Sequence, residues 1–315
     1  MRIGWIGFHV EGRLALRAVL EQGFGIEAFI TLQPELAAKR SGAADYTSLC
    51  SEFGVPLYRV ANINDDASRA LLKELSLDVA LVIGWTQIVR AEALRLVRLG
   101  MIGAHASLLP RHRGRAPINW VLIKGENQTG NTLMWLAEGV DSGEILDQSV
   151  IPITPYDTCA SLYDRVAESN REMILRVLPK LLAGERPGRP QPAIDEPHLP
   201  GRRPEDGLIN WSLNAGEVYN FVRALTRPYP GAFSWLAGRR WTIWHCGLLP
   251  EAAFPDAQMG QIVGPVFSPS EGACGQVVAC GKGAVVLLEL EGDDGEILAG
   301  RRLSSQPWRG QVWGQ

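Results

Sequence analysis

The sequence predicts an α/β protein: a mostly parallel sheet with helices on both faces, followed by a smaller C-terminal β-barrel domain. Three observations carry this. Through residues 1–180, short apolar runs alternate with helical patterns, the sequence form of βαβ units. A proline-rich stretch from Gly184 to Gly207, GERPGRPQPAIDEPHLPGRRPEDG, then breaks the pattern; its prolines remove backbone donors and block a continuous helix or central strand. Beyond it, short apolar runs alternate with Gly, Pro and Asp turns, as in a barrel. The expected organisation is a first domain over 1–184, a linker over 185–206 and a second domain over 207–315.

Taken in order, strands are expected over Arg2–Phe8, Gly25–Leu32, Leu77–Trp85 and Gly100–Ala106. Between them, Arg13–Gln22, Tyr46–Phe53, Ala67–Leu75 and Glu92–Leu99 repeat apolar residues every three or four positions, the helical period. Thr132–Ile153 reads as two strands around a turn at Asp141, and Ala160–Leu182 as a long amphipathic helix ended by Gly184. After the break come a helix over Ala215–Leu225 and strands over Ala232–Leu236, Arg240–Cys246, Gly275–Ala279 and Ala284–Leu290.

With 315 residues, 46% of them hydrophobic, the chain can build packed cores for about two domains. A net charge of −3 and a pI near 6.0 supply no basic field, so no nucleic-acid partner is expected. Cys50, Cys159, Cys246, Cys274 and Cys280 form no CxxC pair and no zinc-like Cys/His spacing; they read as reduced core residues, and no metal is expected. The N-terminal MRIGWIGFHVEG lacks a signal-peptide core, and no apolar run approaches the ~18 residues of a span. The reading is a cytoplasmic protein with no membrane partner.

The chemistry concentrates in HASLLPRHRGRAPINWVLIKGENQTGNTLMWLAEGVDSGEIL, His105 to Leu146. Ligands of open α/β sheets bind beyond the carboxyl ends of the strands, and His105 closes a predicted strand. A lone His there is more often a structural residue; its neighbours change that weighting. Asp141, in the tight-turn sequence GVDSGE, can return a carboxylate to the imidazole if the two strand ends are neighbours. The plainer reading is a turn Asp bonding its own backbone. A paired carboxylate fixes an imidazole's tautomer and strengthens its hold on a proton, as acid–base work near neutral pH requires. Arg111, Arg113 and Arg115 crowd three cations around His112. Such clusters are usually solvated, yet beside a working His a guanidinium fork can hold phosphate or carboxylate. GWIGFHVEG lacks the GxGxxG spacing of a dinucleotide site; its His9 and Glu11 are candidates to border a substrate cleft.

The constellation HxSLLPxxRGxxP followed by GxDxG resembles the active-site signature of the formyltransferases that use 10-formyltetrahydrofolate. The likeness covers nearly the whole chain. It implies a Rossmann-like catalytic domain, an OB-like β-barrel after it, and 10-formyltetrahydrofolate as co-substrate. It further implies His105 as proton shuttle, Asp141 as its support and, at the position of Gly103, an Asn that helps bind the oxyanion. Gly103 departs from that pattern. The folate site implied by the resemblance comprises Gln87, Ile88, Val89, Arg115 and the loop Ala137, Glu138, Gly139, Val140 to Asp141, with Ser107, Leu108, Leu109 and Pro110 as the intervening wall. Arg113 joins His9 and Glu11 on the acceptor side. The implied reaction is attack of an amine on the formyl carbon. Losing one oxyanion donor costs on the order of 3 kcal/mol, roughly a hundredfold in rate, so Gly103 calls for compensation by a backbone N–H, a protonated His105 or water.

Four readings compete for the acceptor. Enzymes that formylate initiator methionyl-tRNA carry a longer, more basic loop where QPELAAKRSGAADYTSL offers only Lys39 and Arg40. VPLYRVANIND, RAPINWVLIKGE and PYPGAFSW are more similar to enzymes that formylate amino sugars on nucleotide carriers. A small-molecule amine, first an amino sugar, is therefore the expected acceptor, and a homodimer the assembly considered. LLPRHRG and INWVLI also resemble the hydrolase domain of 10-formyltetrahydrofolate dehydrogenase, which likewise lacks the upstream Asn; a small residue at 103 would leave room for solvent, and the His/Asp pair would activate water. The fourth reading is a non-catalytic folate- or nucleotide-binding protein, against which the presence of both His105 and Asp141 counts.

Overall fold

Strands that are apolar at nearly every position need cover on both faces, and the first half of the chain provides it. In the computed structural model, which describes residues 1–314, β1 (Ile3–Ile6), β2 (Ala28–Leu32), β3 (Leu57–Val60), β4 (Val79–Val82) and β5 (Gly100–His105) run parallel. β6 (Gln128–Trp135) and β7 (Ile145–Pro152) add to the edge antiparallel, giving the order β3-β2-β1-β4-β5-β6-β7. The helices are α1 (Arg13–Glu21), α2 (Pro34–Ala37), α3 (Thr47–Glu52), α4 (Asp66–Leu75), α5 (Ala91–Leu94), α6 (Pro117–Ile123) and α7 (Cys159–Leu182). Alternate strand residues feed two cores: Ile3, Trp5, Leu81 and Ile102 pack with α1, α3 and α7, whereas Ile6, Ile30, Ala80 and Met101 pack with α4 and α5.

Two details differ from expectation. The helix expected over Glu92–Leu99 stops at Leu94, because the N–H groups of Arg98 and Leu99 donate to the carbonyls of Leu77 and Asp78 at 3.0 and 2.8 Å and lead the chain into β5. β3 lies inside VPLYRV, too short for a period to show.

The described chain divides into two compact units, residues 1–117, 128–153 and 162–200, and residues 118–127, 154–161 and 201–315. Most of the segment expected as a linker thus belongs to the first unit. Arg189 bridges to Ile145 and Leu199 to Gly114 as isolated β-pairs. The prolines exclude helix from this segment, and the N–H groups of Arg189 and Leu199 donate to Ile145 O at 2.9 Å and Arg113 O at 2.7 Å.

The second unit holds α8 (Ala215–Leu225) and an antiparallel sheet of β8 (Ala232–Leu236), β9 (Arg239–Leu249), β10 (Ile262–Val266), β11 (Gly275–Ala279), β12 (Ala284–Gly292) and β13 (Ile297–Ala299), followed by α9 (Gly300–Ser304). The order is β10-β11-β12-β9-β8 with β13 on β12. Among the described residues the edge strands β8 and β10 do not pair with each other, so the expected barrel is an open sheet. Trp211, Trp241, Trp308 and Trp313 cluster with ring centroids 5.3–6.2 Å apart. All five cysteines are free and buried. Burial pushes the thiols of Cys50 and Cys280 up to about 11 and that of Cys159 up to about 12, which removes the reactive thiolate. Among the described residues no helix is long and apolar enough to cross a membrane.

Candidate active site

The sheet order reverses between β1 and β4, the switch point where open α/β sheets bind ligands. The loops leaving these strands touch: Phe8 and His9 N–H groups donate to Gly84 O at 3.2 and 3.3 Å. One strand over, β5 ends in His105, which is 8% exposed and paired in register with Thr132.

Both ring nitrogens of His105 face acceptors. Nε2 lies 2.8 Å from His112 O; a carbonyl only accepts, so Nε2 carries a proton and donates. Nδ1 lies 3.5 Å from Asp141 Oδ2. Asp141 sits at φ +50° in the β6–β7 turn, a conformation Asp tolerates. The same Oδ2 accepts from Gly114 N–H at 2.8 Å. One carboxylate oxygen thereby reaches the imidazole and anchors the arginine loop. Gly114 has to be glycine: at φ +112°, a Cβ would meet Leu199 O at 2.4 Å.

The space beside Gly103 is not open to solvent. A Cβ there would lie 2.5 Å from Leu136 Cδ2, and Leu136 is held by its N–H donating to Met101 O at 2.7 Å. An apolar side chain occupies the position expected to admit water. That removes the physical warrant for a hydrolase drawn from Gly103.

The loop after β5 is built from inside. Thr132 Oγ1 donates to Ser107 O at 2.6 Å and accepts from Leu109 N at 3.2 Å. Ser107 has no exposed surface and donates its hydroxyl to Arg111 O at 2.8 Å. Leu109 packs with Met134 and Ile145. Ser107 and Leu109 therefore act through the loop's shape rather than as exposed ligand contacts, while Leu108 and Pro110 keep some surface. Arg113 donates from Nε at 3.2 Å and Nη2 at 2.6 Å to Gln191 Oε1. Gln191 Nε2 in turn donates to the carbonyls of Asp141 and Gly143 at 2.8 Å each. Arg111 and Arg115 are exposed, Arg115 N donating to Leu199 O at 2.9 Å.

Other predicted residues are placed less directly. Gln87 turns its amide into the protein, accepting from Ile63 N at 2.9 Å and donating to Ala61 O at 2.8 Å. That pins the 87–89 loop with Ile88 66% exposed and Val89 buried. Ala137, Glu138, Gly139 and Val140 form an exposed loop, with Glu138 paired to Arg95 at 3.0 Å. His9 Nδ1 lies 3.6 Å from Glu11 Oε1, and its ring centroid 5.2 Å from that of Tyr163. Trp85 Nε1 is buried without an acceptor among the described residues. Among those residues no three or more His, Cys, Asp or Glu side chains gather as metal ligands. Sequence reasoning missed Gln191, Glu196, Thr132 and Leu136. The available signal for the first two was an amide and a carboxylate among prolines that otherwise read as spacer.

A buried imidazole, held by a carboxylate and a carbonyl at the carboxyl edge of a mostly parallel sheet, defines an α/β enzyme equipped for proton-coupled group transfer. The chain belongs to the formyl transferase family: the formyl transferase model matches residues 23–178, and the model of the formyl transferase C-terminal domain matches residues 202–306. Similar solved structures include HypX from Aquifex aeolicus in complex with tetrahydrofolic acid, at 18% identity over 97% of this chain and 47% of that one, TM-score 0.65. WlaRD, a sugar 3N-formyl transferase in the presence of dTDP and 5-N-formyl-THF, matches at 17% identity over 91% and 97%, TM-score 0.64. A candidate sugar N-formyltransferase from Mycobacterium tuberculosis matches at 22% over 74% and 90%, TM-score 0.57. This chain spans about half the length of HypX. At these identities the structural likeness is one of fold.

Proposed function

We propose that the protein transfers the formyl group of 10-formyltetrahydrofolate to the amine of a small molecule, an amino sugar on a nucleotide carrier, in the cytoplasm. The carrying observation is the His105–Asp141 pair, Nδ1 to Oδ2 3.5 Å, at the end of β5. The folates named in the HypX and WlaRD structures support the donor, and the two sugar-formylating relatives support the acceptor. A net charge of −3 disfavours tRNA.

The residues fit a folate: exposed Ile88 offers apolar cover, Trp85 Nε1 an unused donor, and the exposed 137–140 loop its backbone groups. When bound, the folate supplies the electrophilic formyl carbon. His105 takes up the proton that the attacking amine loses and gives the Nε2 proton to the departing nitrogen, so the ring ends with one proton as it began, and Asp141 stabilises the positive charge it carries in between. The Nε2 proton also stands in for the donor missing at Gly103. Arg113, fixed by Gln191, adds positive potential beside the pair.

Incubation with 10-formyltetrahydrofolate and a panel of amino-sugar nucleotides is expected to release tetrahydrofolate only with the matching amine. Release without any acceptor would reassign the reaction to hydrolysis. Folate binding with no release under either condition would sink the transfer reading.

A further inference from the structure

One ring nitrogen of His105 is held by a group that no motif announces. His112, whose carbonyl accepts from Nε2, sits at φ +60°, a left-handed conformation that persists in a non-glycine residue when its surroundings enforce it. Glu196 contacts His112 twice. Its Oε1 lies 2.9 Å from His112 Nδ1 and accepts from the His112 backbone N–H at 3.4 Å. His112 is 6% exposed, and the Glu196 side chain 26%. Because both contacts fall on one residue, side chain and backbone, they fix how that residue is turned and hence where its carbonyl points.

We propose that Glu196, acting through His112, is a positioning residue for His105: it keeps the His112 carbonyl on Nε2 and so fixes the tautomer of the ring. The bond requires the proton on Nε2, and an incoming substrate meets a donor at that nitrogen rather than a lone pair. The proton changes acceptor, from His112 O to the substrate, while Glu196 and His112 neither gain nor lose one. Gln191 does the corresponding work on the other side, holding the Asp141 and Gly143 carbonyls. The consequence for turnover rests on the formyl-transfer reading; the tautomer itself does not.

The test is nitrogen NMR of histidine-labelled full-length protein, with the His105 signals assigned by a His105→Gln variant. Wild type is expected to show His105 protonated at Nε2. Glu196→Ala should mix the two tautomers, and Glu196→Gln, whose amide oxygen still accepts from His112, should keep the wild-type pattern. In turnover, Glu196→Ala should lower kcat about tenfold with KM nearly unchanged, and Glu196→Gln should restore most of the rate. His105 signals unmoved by Glu196→Ala overturn the proposal, as does a loss confined to KM. Should Glu196→Ala fail to fold, Glu196→Asp carries the same comparison: a partial tautomer shift supports the proposal and none overturns it. A protein that shows the tautomer shift but transfers no formyl group leaves this inference standing and removes the functional reading alone.

Discussion

The two sides of the His105 ring are built in different ways. On the Nδ1 side, Asp141 arrives from the turn joining two adjacent antiparallel strands, β6 and β7, and its place follows from a local turn sequence. On the Nε2 side, the acceptor is the backbone carbonyl of His112, whose N–H donates to Glu196, 84 positions away in a proline-rich segment. The first arrangement supplies charge; the second supplies direction. An imidazole can therefore carry a recognisable chemical signature on one nitrogen while the geometry of the other is set by a segment that looks like spacer.

The largest effect should separate chemistry from positioning. His105→Ala and Asp141→Asn are expected to lower kcat by roughly 10²–10⁴-fold, with circular dichroism unchanged. Turnover retained in either would break the assignment of the Nδ1 side as the chemical one. Next comes Gly103→Asn, expected to destabilise by about 1–3 kcal/mol because its Cβ runs into Leu136. In a double-mutant cycle measured by thermal unfolding, Leu136→Ala should relieve part of that cost, and strict additivity would show that Leu136 is not the obstacle. Gln191→Ala removes the bonds to Arg113 and to the Asp141 turn, and should cost about 1 kcal/mol of stability with a modest fall in kcat. A loss as large as that of Asp141→Asn would erase the distinction between the two sides. Smallest is Arg95→Ala: its pair with Glu138 is mostly exposed, at 73% and 69%, so stability should change by no more than about 0.5 kcal/mol. An accompanying rise in the KM for folate would bring the Glu138 side chain into the site.

Legibility followed the range of the interactions. The strand period, the switch to turn residues and the His–Asp spacing each lie within a short stretch, so β1, β5, α8 and β11 are recognisable from their own residues. Leu136 was hidden although it lies only 33 positions from Gly103, because an apolar residue at a strand end reads as ordinary core. That the second sheet stays open was equally hidden, since apolar runs separated by turns describe open and closed sheets alike.

By itself, then, the sequence determined the α/β class, the order of most elements and the two residues of the central pair. Each is written in local periodicity or a contiguous motif. Only the tertiary structure decided that the proline-rich segment bonds to the loops around His105, that Leu136 fills the space beside Gly103, and that the His112 carbonyl, with Glu196 against its residue, meets His105 Nε2. These are contacts between distant residues whose partners share no local pattern, and only the folded backbone brings them within bonding distance.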